Sequence, residues 1–182
     1  MKVLVLYTTI DGNTEAVAQA IAEKTDADVS KIVRVSKRHA YGIDLFRIWL
    51  EVVFKRRPGI FPFKHDPRDY DLIFIGTPVW FDTYNPVFNT LFEVIKIYDR
   101  KIALFSTGST DKQKALDKFS KKLKDSVILG RYHCIEPIFE DEDSETQRIL
   151  NEAADWAKGI ADEAAKMIEE EEFERRKTIY KT

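Results

Sequence analysis

The stretch that most constrains the fold is the amino-terminal run from Lys2 to Tyr7, which reads Lys-Val-Leu-Val-Leu-Tyr. An unbroken run of apolar, β-favouring residues predicts a strand that is covered on both faces, which is typical of parallel sheets. A hydroxyl-rich loop at 8–14 follows at once, and helical periodicity begins at Asn13 or Thr14. The free N–H groups of this loop and the positive end of the helix then point at one place, which suits a phosphate.

The loop has the chemistry that a phosphate site needs. Gly12 lets the backbone approach an anion closely, and the hydroxyls of Thr8, Thr9 and Thr14 can donate to phosphate oxygens without adding charge. The alternative is that Asn13 or Thr14 is an ordinary N-cap and the loop is only a turn. Glycine-rich dinucleotide and nucleoside-triphosphate loops are excluded, because no further glycine stands in register and no Gly-Lys-Ser/Thr ending is present.

The sequence Thr9-Ile10-Asp11-Gly12-Asn13-Thr14 resembles the phosphate loop of the flavodoxin family, whose usual form is Ser/Thr-x-Thr-Gly-x-Thr. Asp11 stands where the family usually has threonine, and its carboxylate repels a phosphate unless it turns away or bonds a loop amide. Oxygen-independent protoporphyrinogen oxidases, a branch of the same fold, carry a similar Asp-Gly-x-Thr loop and are FMN proteins. The resemblance implies FMN as the cofactor, and we expect the Asp11 carboxylate to accept from loop amides.

Composition narrows the class of protein. The 182 residues, 44% of them hydrophobic, are enough for a single domain (1–182) with a full core. The formal net charge of -2 predicts no nucleic-acid partner. The single cysteine, Cys134, excludes an internal disulfide, and the dispersed histidines have no metal-ligand spacing. With no signal peptide and no apolar run long enough to span a membrane, we expect a cytoplasmic protein.

Alternating strand and helix patterns predict the fold class. After the first strand, strands are expected at 28–35, 70–76, 101–106 and within 132–138, with helices at 14–24, 85–98, 111–123 and from about residue 144. This alternation implies parallel pairing through right-handed crossovers. Combined with the resemblance, it predicts an α/β fold with a doubly wound, five-stranded parallel sheet in the flavodoxin-like order 2-1-3-4-5.

Two segments exceed what this fold requires. Residues 36–69 make an extended crossover after strand 2, and the helix inserted within 41–57 is apolar around most of its circumference. It is either a well-buried helix or a surface for a partner, such as a second subunit in a homodimer or a lid beside the cofactor. Residues 169–182 form a charged carboxyl-terminal extension whose aromatics, Phe173 and Tyr180, are candidates for docking on a neighbour.

The loops after strands 3 and 4 supply the rest of the candidate site, because ligands bind outside the carboxyl ends of parallel strands. The loop at 76–86 begins Gly-Thr-Pro-Val-Trp-Phe and resembles the loop that holds the flavin ring in flavodoxin-like proteins. Trp80 falls at the position of the stacking aromatic, and a polar loop bracketed by prolines is a poor place for a core tryptophan. The loop at 106–110 offers small residues and amides to the ring edge but no aromatic residue. The resemblance therefore implies cofactor contacts from Thr8, Thr9, Ile10, Asp11, Gly12, Asn13, Thr14, Pro78, Val79, Trp80, Phe81, Ser106, Thr107 and Gly108.

Three functions are compatible with this pattern. The first hypothesis is a flavodoxin-like FMN electron-transfer protein that serves redox partner proteins. The second is an FMN-dependent oxidoreductase that uses NAD(P)H or acts on a small redox substrate such as a quinone or a porphyrinogen. The third is a cofactor-free interaction module on the same fold, which is favoured only if Asp11 blocks the phosphate.

Overall fold

The computed structural model describes residues 1–36, 42–108, 114–135 and 143–179. Its strands are β1 (Val3–Tyr7), β2 (Asp28–Lys31), β3 (Leu72–Pro78), β4 (Lys101–Gly108) and β5 (Val127–Ile135). Its helices are α1 (Asn13–Thr25), α2 (Gly42–Val53), α3 (Val87–Val94), α4 (Lys114–Ser120) and α5 (Asp143–Ile179). The strands pair in parallel in the order β2-β1-β3-β4-β5, which confirms the fold class and the strand order expected from the sequence.

The sheet is covered on both faces, as the apolar runs predict. Every residue of β1, β3 and β4 is buried. One core lies between the sheet and helices α1 and α5, and the other lies beneath α3 and α4. Gly76 marks a tight position near the end of β3, where a Cβ atom would lie 2.1 Å from the ring of Phe105. Only glycine fits there, so close packing fixes the strand end that leads into the candidate ring loop.

Strand β2 is shorter than expected, because the chain leaves the sheet after Ile32. Arg34 forms an isolated antiparallel bridge with Ile60, and Val35 donates its N–H to the carbonyl of Gly59 over 2.8 Å. The β-favouring residues that follow Lys31 therefore pair with the extended crossover and not with β1. The prediction of one strand from 28 to 35 is wrong beyond residue 31.

Three further boundaries differ from the sequence-based expectation. Helix α3 ends at Val94 and not near residue 98, since Ile97 turns into the core and Asp99 adopts a positive φ of 51°. Strand β5 begins at Val127, ahead of the expected 132–138, and as an edge strand it is only partly buried. The expected helix at 111–123 ends at Ser120, and its first residues, 111–113, lie outside the described residues.

Helix α5 has 37 residues and extends about 55 Å at 1.5 Å per residue. Its first part packs on the sheet, whereas the charged run 169–172 is exposed. Lys101, at the start of β4, pairs with Glu171 over 2.9 Å and ties this extension to the domain. Phe173 is exposed, and Tyr180 lies outside the described residues. Within the part of the chain that is described, no helix combines the length and the apolarity needed to cross a bilayer.

Helix α2 covers the crossover with one narrow face. Only Ile48 and Glu51 are buried in it, and Glu51 forms a bidentate pair with Arg34 at 2.8 and 2.9 Å. Phe46 and Trp49 stack on each other with ring centroids 5.7 Å apart, and both are exposed. The interpretation of this segment as a well-buried helix is therefore wrong, and its apolar surface faces solvent.

Candidate functional site

Three loops meet at the carboxyl edge of the sheet, and Thr107 connects them. The hydroxyl oxygens of Thr14 and Thr107 lie 2.8 Å apart, and either can be the donor. Val79 donates its N–H to the carbonyl oxygen of Thr107 over 2.8 Å, and Thr8 donates its N–H to Gly76 over 3.2 Å. Thr14 and Thr107 are both buried, so these bonds are shielded from water. The loops after β1, β3 and β4 are held together as one edge, which is the convergence that the sequence predicts.

The loop after β1 is fixed by its own side chains. Gly12 is the N-cap of α1 with a φ of 99°, and as a glycine it has no side chain to cap the helix. The N–H of Gly12 donates to the Thr9 hydroxyl over 2.9 Å, and the N–H of Asn13 donates to the Asp11 carboxylate over 3.2 Å. The expectation that Asp11 bonds a loop amide is confirmed. The alternative of an ordinary side-chain cap at Asn13 or Thr14 is wrong.

The start of α1 has backbone donors available for a ligand. Among the described residues, no acceptor is recorded for the N–H groups of Ile10, Asp11, Thr14 and Glu15. Clustered free N–H groups at a helix start, beside a glycine at positive φ, suit a phosphate. The Thr14 hydroxyl faces Thr107, so the group that Thr14 offers to a phosphate at the start of α1 is its N–H.

A charged pair next to this loop is internally neutralised. Glu15 lies in the first turn of α1, where it accepts from Lys31 over 2.7 Å and from the Tyr7 hydroxyl over 2.7 Å. The hydrogen bond from Lys31 lowers the pKa of the Glu15 carboxyl, and burial raises the pKa of Tyr7 above its ordinary value. Tyr7 therefore stays a neutral donor, and Lys31 offsets the carboxylate beside the candidate phosphate site.

The loop after β3 contains a tight turn with unusual backbone geometry. Trp80 and Thr83 exchange two backbone hydrogen bonds of 2.9 Å, and the residues between them, Phe81 and Asp82, have φ values of 48° and 58°. Positive φ at both central positions is the signature of a type I′ turn, which usually requires glycine or asparagine. A phenylalanine in this conformation costs about 1–2 kcal/mol, and such strain clusters at ligand sites.

The aromatic residues of this turn are partly open to solvent. The rings of Trp80 and Phe81 lie 6.5 Å apart at an angle of 48°, and Phe81 is exposed. The indole nitrogen of Trp80 is buried, and no group in the described ranges accepts from it. A buried N–H without an acceptor is destabilising, and a polar atom of a bound ligand can supply one. This orphan donor agrees with a cofactor seated beside the turn.

The remaining predicted residues lie at the same edge. Pro78 ends β3 and is buried. Gly108 ends β4, where a Cβ atom would come within 3.1 Å of Val79. The hydroxyl of Ser106 lies 2.9 Å from Nδ1 of His133 on β5, so this side chain is engaged within the sheet. The loop positions 109 and 110 lie outside the described residues.

Sequence reasoning missed a cavity of about 410 Å³ beside the strained turn. It lies between the end of α2, the turn and α4. Its lining comprises Val52, Lys55, Thr83, Tyr84, Pro86, Asn89, Lys118, Lys121 and Lys122. Lys118, Lys121 and Lys122 are close in sequence, but Lys55 and the apolar wall come from distant segments, so no local motif signals the cavity.

Comparison with known proteins gives one family and several relatives. Residues 2–132 match the family model described as flavodoxin. The flavodoxin-like domain-containing protein BilS of Clostridioides difficile is 30% identical over 145 residues, and the match covers 74% of this chain and 65% of BilS. The uncharacterized protein MJ0298 of Methanocaldococcus jannaschii is 28% identical over 141 residues, covering 74% of this chain and 75% of that protein. The chain thus aligns with just under two thirds of the length of BilS.

A solved structure agrees with the described fold. The Lactobacillus acidophilus flavoprotein in complex with FMN is 24% identical, with a TM-score of 0.64, and the match covers 81% of this chain and 97% of that protein. Flavodoxins bind FMN, so the cofactor expected from the sequence is confirmed at the level of the family.

Proposed function

This chain belongs to the flavodoxin family, and from that premise we propose that it binds FMN at the carboxyl edge of its sheet and carries electrons to and from a redox partner. The observation that carries the proposal is the contact of Thr107 with both Thr14 and Val79. These bonds bring the phosphate loop, the ring loop and the loop after β4 to one place. Bound FMN supplies one- and two-electron redox chemistry, and the protein holds and orients it.

Each loop has a distinct part in this proposal. The N–H groups of Ile10, Asp11, Thr14 and Glu15 are available to the phosphate. Thr9 and Asp11 fix the loop by accepting from the N–H groups of Gly12 and Asn13. The full phosphate set is Thr8, Thr9, Ile10, Asp11, Gly12, Asn13 and Thr14. Pro78, Val79, Trp80 and Phe81 frame the ring, and Ser106, Thr107 and Gly108 lie at its edge.

A second function is favoured by one observation. The cavity beside the ring loop has a volume of about 410 Å³, which is in the range of small-molecule pockets. A protein that only exchanges electrons with other proteins has no need of such a pocket. We therefore propose, as the alternative, an FMN-dependent oxidoreductase that uses NAD(P)H or acts on a small redox substrate such as a quinone or a porphyrinogen.

The decisive experiment is a titration of the purified full chain with FMN, followed by flavin fluorescence and by mass spectrometry of the released cofactor. FMN binding with low-micromolar or tighter affinity supports the proposal. Recovery of FAD, or no binding even when FMN is supplied, would overturn it and favour the interaction module. Steady oxidation of NADPH or NADH by the FMN-loaded protein with a quinone favours the oxidoreductase over the electron carrier.

The exposed face of α2 supports a homodimer as a further part of this proposal. Ile43, Phe46, Leu50 and Val53, here called the α2 stripe, repeat at intervals of three, four and three residues, which is the spacing of a helix–helix seam. The order of these intervals is the same from either end of the helix. An antiparallel α2 from a second copy can therefore place each of its stripe residues against a stripe residue of the first copy. The buried thiol of Cys134 is compatible with the reducing cytoplasm in which we place the protein.

A further inference from the structure

The cavity beside the strained turn has an apolar interior and a cationic rim. Val52, Tyr84 and Pro86 provide the apolar wall. The rim is lined by Lys55, just after α2, by Lys118 of α4, and by Lys121 and Lys122, which follow α4. Lys55, Lys118, Lys121 and Lys122 are all exposed, so their ammonium groups are hydrated and able to turn towards a ligand. This combination selects an organic molecule that carries negative charge.

In the part of the chain that the structure describes, these lysine charges have no ion-pair partner. Two carboxylates on neighbouring segments are already engaged, since Asp117 pairs with Arg131 over 3.0 Å and Glu93 pairs with Arg57 over 3.2 Å. A concave site lined by one sign of charge raises the local concentration of ions of the opposite sign.

The floor of the cavity is rigid. Tyr84 is 8% exposed and stacks on Phe119 with ring centroids 4.6 Å apart. Its hydroxyl donates to Asn89 over 2.9 Å, and Asn89 donates to the carbonyl of Arg56 over 3.1 Å. This chain of contacts ties the end of α2 to the floor, so the cavity exists before any ligand arrives.

The position of Lys55 on the rim is fixed by its backbone. Lys55 has a φ of 48° and closes α2, with its N–H donated to Val52 over 3.2 Å. The N–H of Arg56 donates to Glu51 over 2.8 Å, which completes a helix end that usually takes glycine. A lysine here keeps a charge at the rim at a cost in backbone strain.

The donors of the cavity favour an extended organic anion over a compact phosphate. The N–H groups of Thr83, Lys121 and Lys122 are already donated to backbone carbonyls, so they form no amide nest. An adjoining cavity of about 310 Å³ shares Lys55 and Lys122 and adds Lys96, together with the ion pair of Arg57 and Glu93. Lysine charges are thus spread over two adjoining cavities, which suits two separated negative charges on one apolar body.

The cavity also adjoins the candidate flavin site. Thr83 lines it, and the same residue exchanges two backbone hydrogen bonds with Trp80. We propose that this cavity binds an organic dianion with an apolar body, and that this molecule is the small electron acceptor of the FMN protein. The redox part rests on the proposed function, whereas the binding part stands on the cavity alone.

Binding is tested by calorimetry at low salt on the full chain, with biphenyldicarboxylate as the probe. Its neutral bis-alcohol analogue and inorganic phosphate serve as comparison ligands. The variant Lys121→Gln/Lys122→Gln removes two rim charges, and Lys124→Gln/Lys166→Gln makes the same net charge change at exposed lysines outside the lining. We expect the rim variant to bind the dicarboxylate more weakly than the parent, on the order of tenfold, and the control variant to bind it as the parent does. The bis-alcohol should bind weakly to all three proteins.

Several results would overturn the inference. The first is equal dicarboxylate affinity in the parent and the rim variant. The second is tighter binding of phosphate than of dicarboxylate, and the third is that no small dianion binds at all. The last result would point to an acidic protein surface as the occupant of the lysines.

The redox part is tested on the FMN-loaded chain. Reduced protein is reoxidised with anthraquinone disulfonate or with neutral menadione, and the rim variant is expected to raise the KM for the disulfonate alone. FMN titrations of the same variants separate the two proposals. If FMN binds normally and no dianion binds, only this inference is wrong. If a dianion binds but the chain never binds FMN, the proposed function is wrong.

Discussion

The hydroxyl of Thr14, at the start of α1, bonds the hydroxyl of Thr107, near the end of β4, although 93 positions separate them. Both residues are almost completely buried, so neither hydroxyl has water as a substitute partner. This bond is a direct side-chain link between the phosphate loop and the third loop of the candidate site. Its integrity is therefore expected to matter for both stability and cofactor affinity.

Replacing Thr107 with valine keeps the shape of the side chain but leaves the Thr14 hydroxyl buried without this partner. We expect a loss of about 1–3 kcal/mol in the free energy of unfolding, measured by urea denaturation, together with weaker FMN binding. The double variant Thr14→Val/Thr107→Val removes both polar groups and should recover much of the loss, which a double-mutant cycle quantifies. If the losses of the two single variants simply add in the double variant, the assigned hydrogen bond is contradicted.

The strand order was predictable because β1, β3 and β4 are apolar runs, a pattern that is typical of strands buried on both faces of a parallel sheet. The end of β2 was not predictable, because the residues after Lys31 favour β structure as strongly as those before it. They pair with residues 59–61, which are distant in the sequence. The composition of α2 indicated an apolar surface, but periodicity does not say whether protein or solvent covers it. The Thr14–Thr107 bond and the lysine cavity depend on long-range packing, and no local sequence pattern encodes either.

Trp80 is expected to contribute to FMN affinity through its ring. Trp80→Ala should weaken FMN binding by about 1–3 kcal/mol, because the flavin loses a large aromatic partner. Trp49→Ala is the matched control, since Trp49 lies on exposed α2 and should affect stability or association instead. Fluorescence titration of FMN with each variant gives the comparison. Equal FMN affinity in the parent and in Trp80→Ala would remove Trp80 from the site.

Phe81 tests whether the turn after β3 is strained. Phe81→Gly should be more stable than Phe81→Ala by about 1 kcal/mol, because both lose the ring but only glycine adopts the positive φ without cost. Thermal or urea unfolding of the two variants measures the difference. If alanine is tolerated as well as glycine, the turn does not hold the φ of 48° in solution.

The α2 stripe predicts self-association. Phe46→Glu places a charge within the stripe and should weaken the dimer by more than about tenfold, because a carboxylate must then be desolvated at the seam. Val94→Glu adds the same charge at a position that is 72% exposed at the end of α3, and should leave association unchanged. Sedimentation velocity over a range of protein concentrations measures both. A parent protein that stays monomeric at every concentration would refute the dimer.

Asp11 gives the sharpest test of the phosphate loop, because its side chain accepts from the N–H of Asn13 over 3.2 Å. Asp11→Thr shortens the acceptor and loosens the turn, so we expect FMN binding to weaken even though a negative charge is removed. Asp11→Asn is the matched change, since its amide oxygen can keep the same bond while the charge disappears. It should bind FMN at least as tightly as the parent, with a gain of up to roughly 1 kcal/mol that fades at high salt. Titrations at two ionic strengths separate the two effects, and tighter binding in Asp11→Thr would show that the carboxylate acts mainly as a repulsive charge.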